Sequence, residues 1–472
     1  VVSAPVQVVT ASTLFGAATV SAAWDAGVLP RRERTVLVVQ HNVPVPEVSD
    51  DFTAGPAFAA LADRFDAVVH WNDVIRPYHP KEWKPRPADA PLWERLLRER
   101  WRLGDGPVEL VGESVATPPT GTLAAIFASA AVSVYADGLM VYGPTRFDVG
   151  HALGGRVERV LHLDLLPGVE PTLLHEWGAP GVVVPAESFR KVITALSAAA
   201  HGAATDVERL PAPGTYALVL GQYMAAIGLL SEADEADLHR RMVDVAAEQG
   251  FTTVLLKPHP SAPRQGTDDL AEHARGRGVR LEVAPAAVLA EALYEESAPG
   301  LVVSCFSTAL ATARATYEIP VRSVGTPMLL GRLEPYQNSN RVPTVVVDAL
   351  GRDGGRWAGD ARQMQRLVRA VSYCQQPALL PELRDDTVAL LREFDDARLR
   401  LWFRRNRLTA LGLPGGFPLP WWRSAGVVRF ADAVDRRVLG GRLRRLVRAR
   451  YRSAGEDVRA AVGVARGQVE RG

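Results

Sequence analysis

Cysteine is scarce in this chain of 472 residues, which has two, Cys305 and Cys374. Two such distant thiols build neither a disulfide framework nor a Cys-based metal site, and reduced thiols in a cytosolic setting are the expectation, a single bridge being the alternative. Long apolar runs are missing as well. No stretch approaches the ~18–20 residues of a membrane-spanning helix, and no signal peptide is visible. The first strand candidate, at 5–10, is followed by Ala11-Ser12-Thr13-Leu14-Phe15-Gly16 rather than by G-x-G-x-x-G, so the dinucleotide fingerprint is absent. No internal repeat or low-complexity segment is present. Lysine disappears altogether from residues 398–472, where eighteen arginines face five acids. The whole chain carries a net charge of +1, so this tail is near +13 and everything before it near −12. Such an imbalance points the tail at an acidic surface, membrane lipid ahead of nucleic acid.

What is present is a βα rhythm, too long for one core. Short apolar runs at 5–10, 35–39, 66–70, 108–112, 131–135, 157–163 and 182–184 read as strands separated by helical segments, among them 54–64, 92–103 and 187–201. After the Gly- and Pro-bearing 202–214 the rhythm restarts, with strands at 216–220, 253–256, 279–283, 301–303, 321–324 and 344–347. Two such halves make a pair of Rossmann-like domains, 1–205 and 206–375. A helical basic extension, 376–472, follows. Within it, 383–411 reads as one helix, and 436–451 sets leucines on one face and arginines elsewhere. That is the pattern of an interfacial anchor or of an arginine-covered helix docked on the protein itself. The Pro- and Trp-rich 71–91 reads as a long loop whose Trp71, Tyr78 and Trp83, with Trp93, either pack beneath it or stack on sugar faces.

Three strand ends carry chemistry. Pro258 and Pro260 each fix φ and remove a donor, so His259 is held on a stiff turn where a buried strand stops. Ser304-Cys305-Phe306-Ser307-Thr308 ends another strand and opens a helix, where hydroxyls and the positive helix end suit a phosphate. Asp137-Gly138, after the strand at 131–135, is either a turn or a carboxylate at a cleft mouth. Lys257 could add positive charge beside His259.

Tyr135-Ala136-Asp137-Gly138, Lys257-Pro258-His259-Pro260 and Ser304-Cys305-Phe306-Ser307-Thr308 resemble the three motifs of bacterial sialyltransferases. The segments at 11–18 and 220–223 narrow the resemblance to the bacterial α-2,8-polysialyltransferase family, over roughly 5–350. That resemblance implies a GT-B glycosyltransferase: two Rossmann-like domains facing a cleft, a CMP-activated sialic-acid-like donor, a glycan acceptor, inversion at the anomeric carbon, and no metal or other cofactor. It further implies Asp137 as general base and His259 as the group that stabilises the departing CMP phosphate. Lys257, Pro260, Ser304, Ser307, Thr308, Gly221 and Gln222 fall on the donor side, and Ser12, Thr13 and Asn42 on the acceptor side. A role in surface polysaccharide synthesis follows, in the cytoplasm or at the inner membrane face. Ala136 departs from the family pattern, which has an acid there. Two alternatives remain: a CDP-glycerol-type polyol-phosphate transferase, and a degenerate member that binds glycan or nucleotide without turnover.

Overall fold

A computed structural model describes residues 4–115, 117–136, 138–203, 210–259, 267–285, 288–351, 357, 359–394 and 396–418. Asp137 and Pro260 lie outside the described residues, as does the basic helix expected at 436–451 and with it the membrane contact assigned to it.

The first sheet has seven parallel strands: β1 (Val6–Ala11), β2 (Arg34–Val39), β3 (Ala67–His70), β4 (Val108–Gly112), β5 (Ala131–Ala136), β6 (Val157–Leu163) and β7 (Gly181–Val184). Their order across the sheet is β3-β2-β1-β4-β5-β6-β7. The second has five parallel strands: β8 (Ala217–Leu220), β9 (Thr253–Lys257), β10 (Arg280–Val283), β11 (Leu301–Ser304) and β12 (Val321–Ser323), in the order β10-β9-β8-β11-β12. Both sheets start in mid-sheet, run outward to one edge and return to run to the other. Each therefore has a switch point, β1/β4 in the first and β8/β11 in the second, where the loops at the carboxyl ends diverge and leave a crevice. The central strands are covered on both faces, which is why β1 and β8 are buried throughout.

Helices join the two halves into one α/β body of the GT-B kind. The Ala186–Ala203 helix packs on both the Leu14–Asp25 and the Ala290–Ser297 helices, and Arg190 on it pairs with Glu295 at 3.1 Å. The Ala361–Gln375 helix returns to the first half. Ser372 there donates to the Tyr142 carbonyl at 3.3 Å, and Arg369 pairs with Glu170 at 2.8 Å.

By backbone contacts the chain forms two compact units, 1–402 and 403–472. In the second, the short Arg405–Leu411 helix ends at Gly412 in the left-handed region, and the Phe417 N–H bonds the Thr409 hydroxyl at 2.8 Å. Among the described residues no helix is long and apolar enough to cross a membrane.

Three sequence expectations are corrected. Residues 344–347 are helical, inside Arg341–Gly351. Their valines favour a strand, but Pro343 suits a first helical turn, and the helix is buried on every side through Leu350, so packing overrides propensity. The expected helix 383–411 is broken into Arg384–Glu393, Asp396–Phe403 and Arg405–Leu411, with Arg404 at φ 48° before the last. The loop 71–91 begins with the helix Trp71–Ile75. Trp71 there is buried edge-on against Trp83 and Trp101, and Trp83 meets Trp93 with ring centres 4.9 Å apart, so three of the four aromatics pack on one another while Tyr78 is exposed.

Candidate active site

The crevice of the first sheet opens where β1 and β4 part. Ser12, just beyond β1, donates its backbone N–H (3.1 Å) and its hydroxyl (2.8 Å) to the carboxylate of Glu113, the residue after β4. The Tyr135 hydroxyl on β5 lies 2.9 Å from the Thr10 carbonyl and 3.1 Å from the same carboxylate. Glu113 is thus fixed across the switch point by donors from two neighbouring strands. The packing leaves no room beneath it: a Cβ on Gly112 would lie 2.3 Å from the Thr120 hydroxyl, whose own partner is Thr10 at 2.8 Å. Above these residues lies a cavity of about 280 Å³, bordered by Ser12, Gln40, Asn42, Lys81, Glu113 and Thr120 among others. Of the acceptor-side residues expected from sequence, Ser12 and Asn42 line this cavity. Thr13 instead caps the Leu14–Asp25 helix, its hydroxyl accepting from the Gly16 N–H at 3.0 Å.

The crevice of the second sheet is built by the same topology from different chemistry. The loop after β8 sits between the ends of β9 and β11. Gly221 N–H bonds the Lys257 carbonyl at 2.9 Å, and a Cβ on Gly221 would meet the Pro258 backbone at 3.3 Å, which favours glycine there. On the other side the Gln222 side-chain oxygen accepts from the Phe306 N–H at 3.3 Å, and the buried Ser304 hydroxyl donates to the Leu220 carbonyl at 3.1 Å. Ser304 is therefore turned into the sheet, while Ser307 caps the Thr308–Tyr317 helix by accepting from the Ala309 N–H. That helix points its N-terminal dipole end at the crevice. His259 lies parallel to Tyr223, ring centres 5.8 Å apart and planes 7° apart.

Electrostatics differ between the halves. His259 is open to the crevice, yet the surrounding atoms withdraw enough water to lower its pKa, the nearby Lys257 lowering it further against an opposing Glu235. Lys257 is not a solvent-facing lysine: it is 8% exposed, and burial lowers its pKa against the opposing pull of Glu291. Burial also pushes the Cys305 thiol up to about 12, which leaves it unreactive.

The segment after β5 touches the second half. The Leu139 N–H, two residues past Asp137, bonds the Thr308 hydroxyl of the second half at 3.3 Å, and Gly138 lies against the same oxygen. Sequence residues from both halves are thus brought together, Gly138 and Leu139 with Thr308, and the 221–222 loop with the His259 turn and the Ser304–Thr308 segment. The sequence profile of the alpha-2,8-polysialyltransferases matches residues 7–326, a span that takes in both crevices. The chain belongs to this family. It is accordingly a glycosyltransferase of the polysialyltransferase family, built on two parallel sheets with helices.

Comparison with curated proteins finds no match. Among solved structures the chain is similar to MurG of Acinetobacter baumannii, at 14% identity over 73% of this chain and 83% of that one, with a TM-score of 0.38. It is also similar to the GT-B domain of a sialyltransferase from Photobacterium damselae, at 12% identity over 73% and 96%, TM-score 0.37. A UDP-N-acetylglucosamine 2-epimerase from Rickettsia bellii aligns at 11% identity over 84% and 98%, TM-score 0.40.

Glu113, Lys81 and Gln40 of the polysialyltransferase-family cavity were not singled out by sequence. Glu113 had a usable signal, because it follows an apolar strand ending in glycine, much as Asp137 follows β5. Among the described residues no three His, Cys, Asp or Glu side chains are grouped to hold a metal ion.

Proposed function

We propose that this member of the family transfers a sialic-acid-like sugar from a CMP-activated donor to a glycan acceptor, with inversion and without a metal, in surface polysaccharide synthesis. The observation that carries the reading is the contact of Gly138 and Leu139 with Thr308. It sets Gly138 and Leu139, which follow Asp137 in the sequence, beside the helix end whose hydroxyls suit a phosphate. Transfer from a sugar nucleotide needs a base on the acceptor side and stabilisation of phosphate charge on the donor side. Asp137 takes the proton of the acceptor hydroxyl. Ser307, Thr308 and the amides of the helix N terminus bind the CMP phosphate. His259 stabilises that phosphate as the glycosidic bond to it breaks, either by a hydrogen bond or by donating a proton. Burial lowers its pKa, and a phosphate beside it would raise its proton affinity.

Glu113 is the second candidate for the base, favoured by its place on the cavity wall. The pH–rate profiles of Asp137→Asn and Glu113→Gln assign the role: the variant that loses the acidic limb of kcat/KM has lost the base. The defining experiment compares binding of CMP, CDP and UDP and then analyses the product formed from CMP-sialic acid and a sialylated oligosaccharide. CMP is expected to bind tightest, and transfer to persist in chelator. Preference for CDP would favour the polyol-phosphate transferase reading. His259→Ala and Asp137→Asn should each lower turnover by ~10²-fold or more; unchanged rates in both would discard the mechanism. The basic tail is assigned to an anionic membrane surface, to be tested by truncation near Leu411 and sedimentation with anionic vesicles. Equal binding with and without the tail removes that assignment.

A further inference from the structure

The donor crevice holds an aromatic ring that the mechanism above does not use. Pro258 stiffens the backbone before His259, but it leaves χ1 and χ2 of the histidine unset. An imidazole that meets a departing phosphate must aim one nitrogen at it in hydrogen-bonding geometry, so the plane of the ring has to be fixed. Tyr223 lies against its face, with ring centres 5.8 Å apart and planes 7° apart. A contact on the face sets the plane and uses neither nitrogen, because both lie on the edge of the ring. Tyr223 is half-buried where His259 is exposed, so the tyrosine is the better anchored of the two.

The loop carrying Tyr223 is pinned on both sides of it. It leaves β8, the middle strand of the second sheet, so β9 and β11 flank it. Before Tyr223, the Gly221 N–H bonds the carbonyl of Lys257, the last residue of β9, at 2.9 Å, and the Gln222 side chain accepts from the Phe306 N–H at 3.3 Å. After it, the Met224 and Ala225 N–H groups donate to the two carboxylate oxygens of Glu235, at 2.8 and 3.1 Å. Glu235 stands in the first turn of the Glu232–Glu248 helix, which Ser231 caps by accepting from the Asp234 N–H at 3.1 Å. The Met224 side chain is buried. The neighbours of Tyr223 thus reach the strand that delivers His259, the segment that leads into Ser307, and a capped helix.

We propose that Tyr223 is a positioning residue of the donor site, its ring holding the plane of the His259 imidazole so that a nitrogen faces the phosphate as it leaves. This rests on the donor-phosphate reading above. The negative face of a phenol ring also favours a protonated imidazole over a neutral one, so the contact works in the same direction as a bound phosphate.

The test uses the full chain as wild type, Tyr223→Phe, Tyr223→Leu, His259→Ala and Tyr223→Leu combined with His259→Ala. Transfer from CMP-sialic acid to a sialylated oligosaccharide, calorimetric CMP binding and NMR of labelled histidine are measured on each. The chain has ten histidines, few enough for His259→Ala to identify the signal that matters. Tyr223→Leu should lower kcat about tenfold while CMP affinity stays within about threefold. Tyr223→Phe keeps the plane and should stay within about threefold of wild type in both. The His259 signal should move in Tyr223→Leu, which removes the neighbouring ring current, and hold its place in Tyr223→Phe. Beside His259→Ala, Tyr223→Leu should cost less than about twofold, because no imidazole is left to orient.

An unmoved His259 signal, losses that multiply in the double variant, or a Tyr223→Phe as slow as Tyr223→Leu overturns the proposal. So does a fall in CMP affinity that accounts for the whole loss of transfer, which would make Tyr223 a binding residue. Should Tyr223→Leu not fold, Tyr223→Met carries the same expectations. An impaired His259→Ala beside an unimpaired Tyr223→Leu removes this inference alone, whereas wild-type turnover in His259→Ala removes the donor reading and this inference with it.

Discussion

Replacing Gly138 with alanine probes a contact that joins the two halves. Gly138 has an extended backbone, φ −146°, so alanine brings no conformational strain. Its Cβ, however, would stand 2.9 Å from the Thr308 hydroxyl oxygen, while the Cβ and Cγ2 of Thr308 stay at 3.8 Å. Thr308 must then rotate about χ1 or the two segments must part. Rotation forfeits the Leu139 N–H bond, which at 3.3 Å is long and worth ~0.5–1 kcal/mol. A displaced rotamer of a β-branched side chain in a helix adds ~0.5–1.5 kcal/mol. The sum, about 1–2.5 kcal/mol, corresponds to roughly a 5–70-fold loss in kcat/KM when the contact is made in the transition state for transfer. The assay is steady-state transfer by wild type, Gly138→Ala, Thr308→Ala and the double variant. Thr308→Ala removes the offending oxygen and leaves only ordinary van der Waals neighbours for the new methyl. Gly138→Ala is therefore expected to cost roughly 5–70-fold in the wild-type background and less than about twofold beside Thr308→Ala. The same loss in both backgrounds would refute the contact as the cause.

Two further outcomes are expected. Ser304→Ala should lower stability by ~1 kcal/mol, because its buried hydroxyl bonds the Leu220 carbonyl, and should change the CMP affinity less than threefold, whereas Ser307→Ala should weaken CMP binding about tenfold. Denaturant midpoints and calorimetry check the pair, and a tenfold loss of CMP binding in Ser304→Ala would contradict the assignment. His162 on β6 is 2% exposed, and burial lowers its pKa. Its unfolded form binds a proton near pH ~6.5 while the folded form does not, so it destabilises the fold as pH drops below that value. His162→Gln should accordingly flatten the fall in stability between pH 7 and 5, and an unchanged slope counts against the burial argument.

The strands were legible because parallel strands covered on both faces read as unbroken apolar runs, and β1, β4, β9 and β11 stand within a residue or so of where those runs lie. The turn after β9 was legible for a local reason, two prolines around one histidine. The helix at 341–351 was not, since a short valine run fits a buried strand and a buried helix alike and only its neighbours decide. Glu113 escaped for a different reason. It and Ser12 are 101 residues apart, and nothing in either segment says that β1 and β4 are neighbours until the strand order is known. Lys257 likewise reads as a surface lysine from its place at a strand end. Its burial, to 8% exposed, comes from tertiary packing that the local sequence does not show.

The two sheets repeat one topology, so the difference between their crevices lies in the side chains at equivalent strand ends. In the first, a carboxylate follows β4 and faces a cavity. In the second, the corresponding strand, β11, is followed by hydroxyls and a helix N terminus. Reversing that assignment would place a carboxylate against a departing phosphate, where like charges at ~4 Å repel by about 4 kcal/mol even at an effective dielectric of 20. The acid whose charge acts on His259, Glu235, is engaged elsewhere: it accepts from the Met224 and Ala225 N–H groups at 2.8 and 3.1 Å. On the proposed reading, proton abstraction and anion stabilisation thereby fall to different sheets. The bond from Leu139 to Thr308 spans the two halves, so loosening it should impair transfer more than it impairs binding of CMP alone.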